Sequence, residues 1–380
     1  MNAQGPQGPY RICTRCVMDT SVPDIRFDTD GVCNYCSDAS RRLERDLFVG
    51  SGHEGRLEQM LAAIRRDGRG RRYDCVIGVS GGVDSSYTAW LVKRKFGLRP
   101  LAVHLDNGWN SELAVQNIER LLKALDIDLF THVVDWEEFR DLQLSFLKSS
   151  IANSEIPTDH GITALLYRMA ARHGVRYIIS GGNLATEVIM PESWMHDAKD
   201  LRLLKSIHRR FGSRKLRTFP MMSYRRLAWY ILVKRIRYVG ILNYVDYSKD
   251  AAIEILEREL GWRRYAAKHF ESIYTRFFQG YLLPRKFGMD KRRPHAASMI
   301  VSGQLTREAA LEELRGEPYD PELAREDTLY IQKKFGLSDE DFQAIMNAPV
   351  RVAEDYPNST RLLASFQPLV RWAKDVATDR

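Results

Sequence analysis

The stretch YDCVIGVSGGVDSS, residues 73–86, constrains the fold more than any other part of the chain. Its first half is β-branched and continuously apolar, as expected of a strand buried on both faces of a sheet. Its second half is a polar turn whose glycines, Gly81 and Gly82, let the backbone approach a ligand closely. A helical apolar period follows at 83–97 and stops at Gly97. The same alternation continues, with strands expected at 74–80, 99–107, 129–135 and 176–183 and helices at 112–127 and 161–175. It predicts an α/β fold, a parallel sheet with helices on both faces. Ligands of such sheets bind beyond the carboxyl ends of the strands.

Three of those ends are polar and glycine-rich: SGGVDSS, HLDNGW and SGGNLATE. Together they point to one site. Ser80, Ser85 and Ser86 supply hydroxyls, and the helix that follows presents its first N–H groups to an anion. Asp84 would repel a bare phosphate, so its place in the loop calls for Mg²⁺ between carboxylate and phosphates. The lysine of the common ATP-binding loop is missing.

Four of the five cysteines fall in two CxxC pairs, Cys13 with Cys16 and Cys33 with Cys36, separated by 16 residues. Two such knuckles read as a tetrahedral structural Zn²⁺ site. Free thiols, disulfides and an iron–sulfur cluster are the competing readings. Cys75 lies in the apolar run and reads as a buried small side chain. The net charge of +8 permits nucleic-acid binding without demanding it, since anionic small substrates also attract basic sites. No run of about 18 apolar residues exists, so no membrane-spanning helix is expected. The opening MNAQGPQGPY has no basic and apolar leader, which makes the cytoplasm the expected location.

The SGGVDSS loop resembles the PP-loop of the ATP pyrophosphatase superfamily, whose members cleave ATP between the α and β phosphates and adenylate a carbonyl oxygen. The resemblance implies a pyrophosphate grip by Ser80, Gly81, Gly82, Asp84, Ser85 and Ser86. It places Asp106 and Asn107 near the adenosine, with Gly181, Gly182 and Asn183 along the same cleft. Segment 243–314, with its KHFES, TRFFQ and LPRKFGMDKRR blocks, and the N-terminal CTRCVMDTS and FDTDGVCNYC resemble the N-acetyl sugar amidotransferases of surface-polysaccharide biosynthesis. That resemblance covers nearly the whole chain. It implies conversion of an acetamido group on a nucleotide-activated sugar to an acetamidino group. The substrate would be UDP-2,3-diacetamido-2,3-dideoxy-mannuronic acid or a nonulosonic acid. The implied architecture is a zinc ribbon at 1–45, a PP-loop ATP pyrophosphatase domain at 46–240, and a mostly helical region at 241–380 that completes the site.

Adenylating an amide oxygen needs cations beyond Mg²⁺. Lys268, His269, Arg276, Lys286, Lys291, Arg292 and Arg293 are the candidates, with Glu271 and Asp290 placed to orient them. Lys268, Lys286, Lys291 and Arg292 are the expected catalytic cations; His269, Arg276 and Glu271 are expected on the substrate. Phe270, Tyr274, Phe277 and Phe278 interleave with these and serve either the binding surface or the core. Glu187, Trp194, His196 and Asp200 are candidate sugar contacts. No cysteine is left to act as a glutaminase nucleophile, so ammonia is expected from separate proteins similar to the glutaminase and cyclase subunits of histidine biosynthesis. The alternative is a tRNA-modifying PP-loop enzyme, a thiolase or a lysidine-type synthase. Thiolases of that kind need further cysteines, which this chain lacks. A non-catalytic ATP-binding scaffold is disfavoured by the intact loop. Two segments resist assignment. SYRRLAWYILVKRIRYVG, 223–240, fits either a membrane or partner surface or a helix with a solvated basic face. The part beyond 318 reads as exposed helices, one begun by Ser338 as N-cap.

Overall fold

The computed structural model describes residues 9–50, 53, 55–265 and 270–364. Lys268 and His269 therefore lie outside the described residues. Along the chain, a cysteine ribbon leads into α1 (Asn34–Asp46) and α2 (Arg56–Asp67), and then into the sheet. The sheet and its crossovers are β1 (Cys75–Gly78), α3 (Val83–Trp90), β2 (Pro100–Asp106), α4 (Glu112–Leu125), β3 (Asp128–Val133), α5 (Trp136–Ser149), α6 (Ile156–Arg172) and β4 (Tyr177–Ser180). After α7 (Leu184–Glu187), α8 (Leu201–Phe211) and α9 (Tyr224–Leu232) comes the last strand, β5 (Arg237–Gly240). Then follow α10 (Lys249–Leu260), α11 (Ile273–Phe277), α12 (Arg292–Val301), α13 (Arg307–Arg315), α14 (Pro321–Phe335) and α15 (Asp339–Asn347).

All five strands are parallel, in the order β3-β2-β1-β4-β5. The order reverses direction between β1 and β4, which makes their carboxyl ends the switch point where such sheets bind ligands. Side chains alternate across the sheet with the period of two that a strand imposes. Cys75, Ile77, Ala102, Tyr177 and Ile179 enter a core shared with α2, α3, α4 and α10. Val76, Leu101, Val103, Leu105 and Ile178 enter a larger core shared with α5, α6, α8 and α9. A third core joins the ribbon to α12 and α13.

The first four strands lie where the apolar runs place them. Helix α5 and the edge strand β5 were among the elements not legible. Helix α5 begins where the Asp135 carboxylate accepts the Glu138 N–H at 3.0 Å. Segment 223–240 divides into α9 and β5, because Arg235 turns the chain with φ +55°. Helix α6 starts five residues before the expected 161, with Pro157 in its first turn, where a missing N–H costs nothing. The C-terminal helices pack on the loop after β2, where fully buried Trp109 meets Trp136, Tyr274 and Phe335.

Candidate active site

The loop after β1 holds itself open by internal hydrogen bonds. The Ser80 and Ser85 hydroxyls lie 3.1 Å apart, Ser85 also donates to the Gly82 carbonyl at 3.1 Å, and Ser80 Oγ accepts the Gly82 N–H at 3.4 Å. Gly81 has φ +83°, and a Cβ there would sit 2.8 Å from the Ala114 carbonyl oxygen, so only glycine fits without strain. Its own carbonyl accepts from Trp262 Nε1 and Tyr265 Oη, both at 3.0 Å. These two aromatics, just beyond α10, clamp the turn. Gly181, at the end of β4, lies against α3: a Cβ there would stand 2.7 Å from the Asp84 carbonyl. The end of β4 thus meets the start of α3 with only glycine between them.

Ser80, Gly82, Asp84 and Ser85 line a cleft of about 570 Å³. Asp84 accepts a hydrogen bond from Tyr247, whose own hydroxyl is pushed up by burial and by that carboxylate. Glu187 also lines the cleft. The opposite wall comes from the C-terminal region and includes Phe270, Glu271, Arg276, Lys291, Arg292 and His295. Two backbone bonds hold this wall in place: the Ser111 N–H donates to the Glu271 carbonyl and the Ile273 N–H to the Trp109 carbonyl, each at 2.9 Å. Arg276 makes a two-pronged pair with Asp327, 2.7 Å on each prong, and stacks over Phe270. Hydrogen bonding to Asp327 raises the Arg276 pKa, so the guanidinium stays charged. Arg292 is held by Asp290 at 2.8 Å and by the Gly316 carbonyl at 2.9 Å. Lys291 projects over Phe278. Tyr247, Trp262, Tyr265 and His295 were not foreseen. No local motif marks them, although the WRRY run after the cap glycine Gly261 is an aromatic–basic cluster of the kind that signals a site.

Several expected residues are elsewhere. Ser86 does not line the cleft: its side chain is fully buried, with a hydroxyl that has no partner among the described residues. Asn107 is buried and spends its amide on Thr158 and the Trp109 N–H, and Asp106 accepts the Gly108 N–H at 2.9 Å, so both brace the turn after β2. Asn183 caps α7 through the Thr186 N–H at 2.9 Å. Trp194 is buried in the core shared with the ribbon. His196 bonds Asp200, which caps α8 and holds Ser359. Burial opposes that carboxylate's charge, but these hydrogen bonds outweigh it and hold the pKa at about 2. Lys286 points away from the cleft to Ser150 Oγ at 3.0 Å and to the Ile345 carbonyl, and burial lowers its pKa to about 8. Arg293 bonds the Val17 carbonyl at 3.0 Å and Asp19 at 3.1 Å, tying α12 to the ribbon. Tyr274, Phe277 and Phe278 are core.

The four paired cysteines are buried, and their sulfurs lie within 4.8 Å of one another. Cys13 and Cys36 are 3.9 Å apart, and Cys16 and Cys33 are 3.7 Å apart. Four thiolates about 2.3 Å from one tetrahedral ion stand about 3.8 Å from each other. The cluster therefore fits a single metal ion, whereas a multi-iron cluster would spread its ligands further. N–H groups of Cys16 and Cys33 point at Cys13 Sγ from 3.4 and 3.2 Å, support of the kind a thiolate uses.

The wall facing the loop also carries the family signal. Residues 271–369 match the family model described as LPS biosynthesis protein WbpG-like, C-terminal domain. The likeness is confined to that segment, about a quarter of the chain. Among curated proteins, an uncharacterized protein of Methanocaldococcus jannaschii is 29% identical over 131 residues, 34% of this chain and 44% of that one. The glutamine-hydrolyzing GMP synthase of Pyrobaculum aerophilum is 37% identical over 76 residues, 20% of this chain and 15% of that one. The chain thus spans less than half the length of the curated relatives it matches. Among solved structures, the NH3-dependent NAD synthetase of Campylobacter jejuni aligns with a TM-score of 0.29 at 14% identity, covering 78% of this chain and 97% of that one. The NMN synthetase of Francisella tularensis aligns with a TM-score of 0.28 at 16% identity, covering 61% and 88%. No helix among the described residues is long and apolar enough to cross a membrane.

Proposed function

We propose that the chain is an ATP-dependent amidotransferase that converts an acetamido group of a nucleotide-activated sugar to an acetamidino group. One observation carries this reading: a segment that matches an LPS-biosynthesis family model forms one wall of a cleft whose other wall is the lysine-free SGGVDSS loop. In this reading the amide oxygen attacks the α-phosphorus, and the bond to pyrophosphate breaks. Ammonia then adds to the activated carbon, the carbon–oxygen bond breaks with AMP leaving, and a proton passes to solvent.

The residues divide the work by position. Ser80, Ser85 and the Gly82 N–H take the departing pyrophosphate, and Asp84 would hold Mg²⁺, which screens the charge of the phosphates. Lys291 lines the cleft and would meet the reacting phosphate, while Arg276, fixed by Asp327, would serve an anionic part of the sugar nucleotide. Glu271 orients the substrate. The four cysteines would hold Zn²⁺, a structural ion that keeps the ribbon folded. Ammonia comes from a separate glutaminase. Four cysteines of this sequence are committed to the cluster, and Cys75 is fully buried with its thiol pushed up by that burial.

The test supplies candidate sugar nucleotides with ATP, Mg²⁺ and ammonium and follows AMP and pyrophosphate. Sugar-dependent AMP release supports the reading. ADP as product, or tRNA-dependent AMP release in place of the sugar, overturns it.

A further inference from the structure

The chain's positive charge is not spread evenly. Residues 201–245 hold twelve Lys and Arg and no Asp or Glu, within a chain whose net charge is +8. The remaining residues together therefore carry −4, the difference between +8 and +12. All twelve cations are exposed. Among the described residues, only Arg214 of the twelve has a carboxylate partner within 4 Å. This charge lies on α8 and α9, which pack over one face of the sheet, on the links that follow them, and on Arg237 of the edge strand β5.

At the end of α9 the same surface exposes an apolar tip. Ile231, Leu232 and Val233 are 44%, 69% and 63% exposed. Lys234, Arg235 and Arg237 follow directly, and Arg225 and Arg226 lie on the helix before them. The left-handed turn at Arg235 takes the chain from α9 into β5 directly after this tip. Strand β5 starts there and runs parallel to β4, so the tip lies at the amino-terminal edge of the sheet. The cleft lies at the opposite, carboxyl edge.

Three adjacent aliphatic side chains in water are costly, and basic residues around them select what covers them. A second copy would bring like charge against like. A nucleic acid would satisfy the cations but leave the aliphatic tip unburied. An anionic bilayer satisfies both, with acyl chains for Leu232 and Val233 and phosphate headgroups for the arginines. We infer that α9 and the turn after it dock this protein on an anionic phospholipid surface, with the cleft facing away from the bilayer.

The full chain is mixed with vesicles of phosphatidylglycerol and phosphatidylcholine in equal parts, or of phosphatidylcholine alone, and separated by flotation. Binding to the first and not to the second is expected. L232E/V233E lowers vesicle affinity by about tenfold or more. R225E/R237E lowers it by about fivefold for each cation lost, and added salt abolishes the difference. All four side chains are exposed, so thermal melting of both variants should match the parent. The inference fails if the parent stays unbound at low salt, or if both variants float as well as the parent. It also fails if the parent binds tRNA with a steep salt dependence while ignoring the anionic vesicles.

Discussion

The two walls of the cleft are built on different principles. The sheet wall is backbone: a strand end and a helix start with only glycine between them, and a turn clamped by Trp262 and Tyr265. The C-terminal wall is charge: Arg276 and Arg292 held by their own carboxylates, Asp327 and Asp290. A backbone site tolerates almost no added atom but needs no partner. A charge site tolerates change of shape but depends on pairs that must stay together.

The largest expected effect is on Asp84, in the loop of the backbone wall. Asp84→Asn should lower ATP turnover about a thousandfold or more while the protein stays folded, as measured by pyrophosphate release. If activity survives, the loop is not the phosphate site. Next come the glycines. Gly181→Ala places a methyl 2.7 Å from the Asp84 carbonyl and should cost about 1–3 kcal/mol in denaturant unfolding. Gly182→Ala meets nothing nearer than Ser180 Oγ at 3.4 Å and should be nearly silent. Equal effects would remove the close strand-end approach from the account.

On the charged wall, Asp327→Asn leaves Arg276 short of its partner. A loss of about 3 kcal/mol in stability is expected, with a raised KM for the sugar. A change in kcat alone would contradict a positioning role. The smallest effect is at Lys286, which faces away from the cleft. Lys286→Met should keep turnover within about twofold. Burial lowers the native pKa of Lys286 from 10.5 to about 8. The unfolded chain thus binds the extra proton between those values, and native stability rises with pH across that window. The Met variant should lose this rise in a pH series of melting curves.

This contrast also sets what could be read from the sequence. SGGVDSS and SGGN are local, since strand, turn and helix start are contiguous, so their meeting at one sheet edge follows from the alternation. The second wall is not local. Lys291, Arg292 and Arg293 are neighbours in sequence, yet successive residues of a helix point about 100° apart. The first two face the cleft and the third faces the ribbon. Trp194 and Lys286 failed for the same reason: a short motif names a region, and the direction of each side chain is set by packing. Tyr247 and Trp262 reach the loop from some 160 to 180 positions away, a distance no spacing rule covers.

The Arg307 side chain donates to the carbonyls of Cys13 and Cys16, at 2.9 and 3.0 Å, across 294 and 291 positions of sequence. On a ribosome adding about 5–20 residues each second, roughly 15–60 s separate the two ends of that bond. The ribbon thus waits for a segment made almost 300 residues later. During that interval the ribbon has no α12 or α13 to rest on, and a metal held by the four cysteines would be the main clasp across its two knuckles. Scarcity of metal in the growing cell would therefore act first on the nascent chain, before any finished protein could lose its ion.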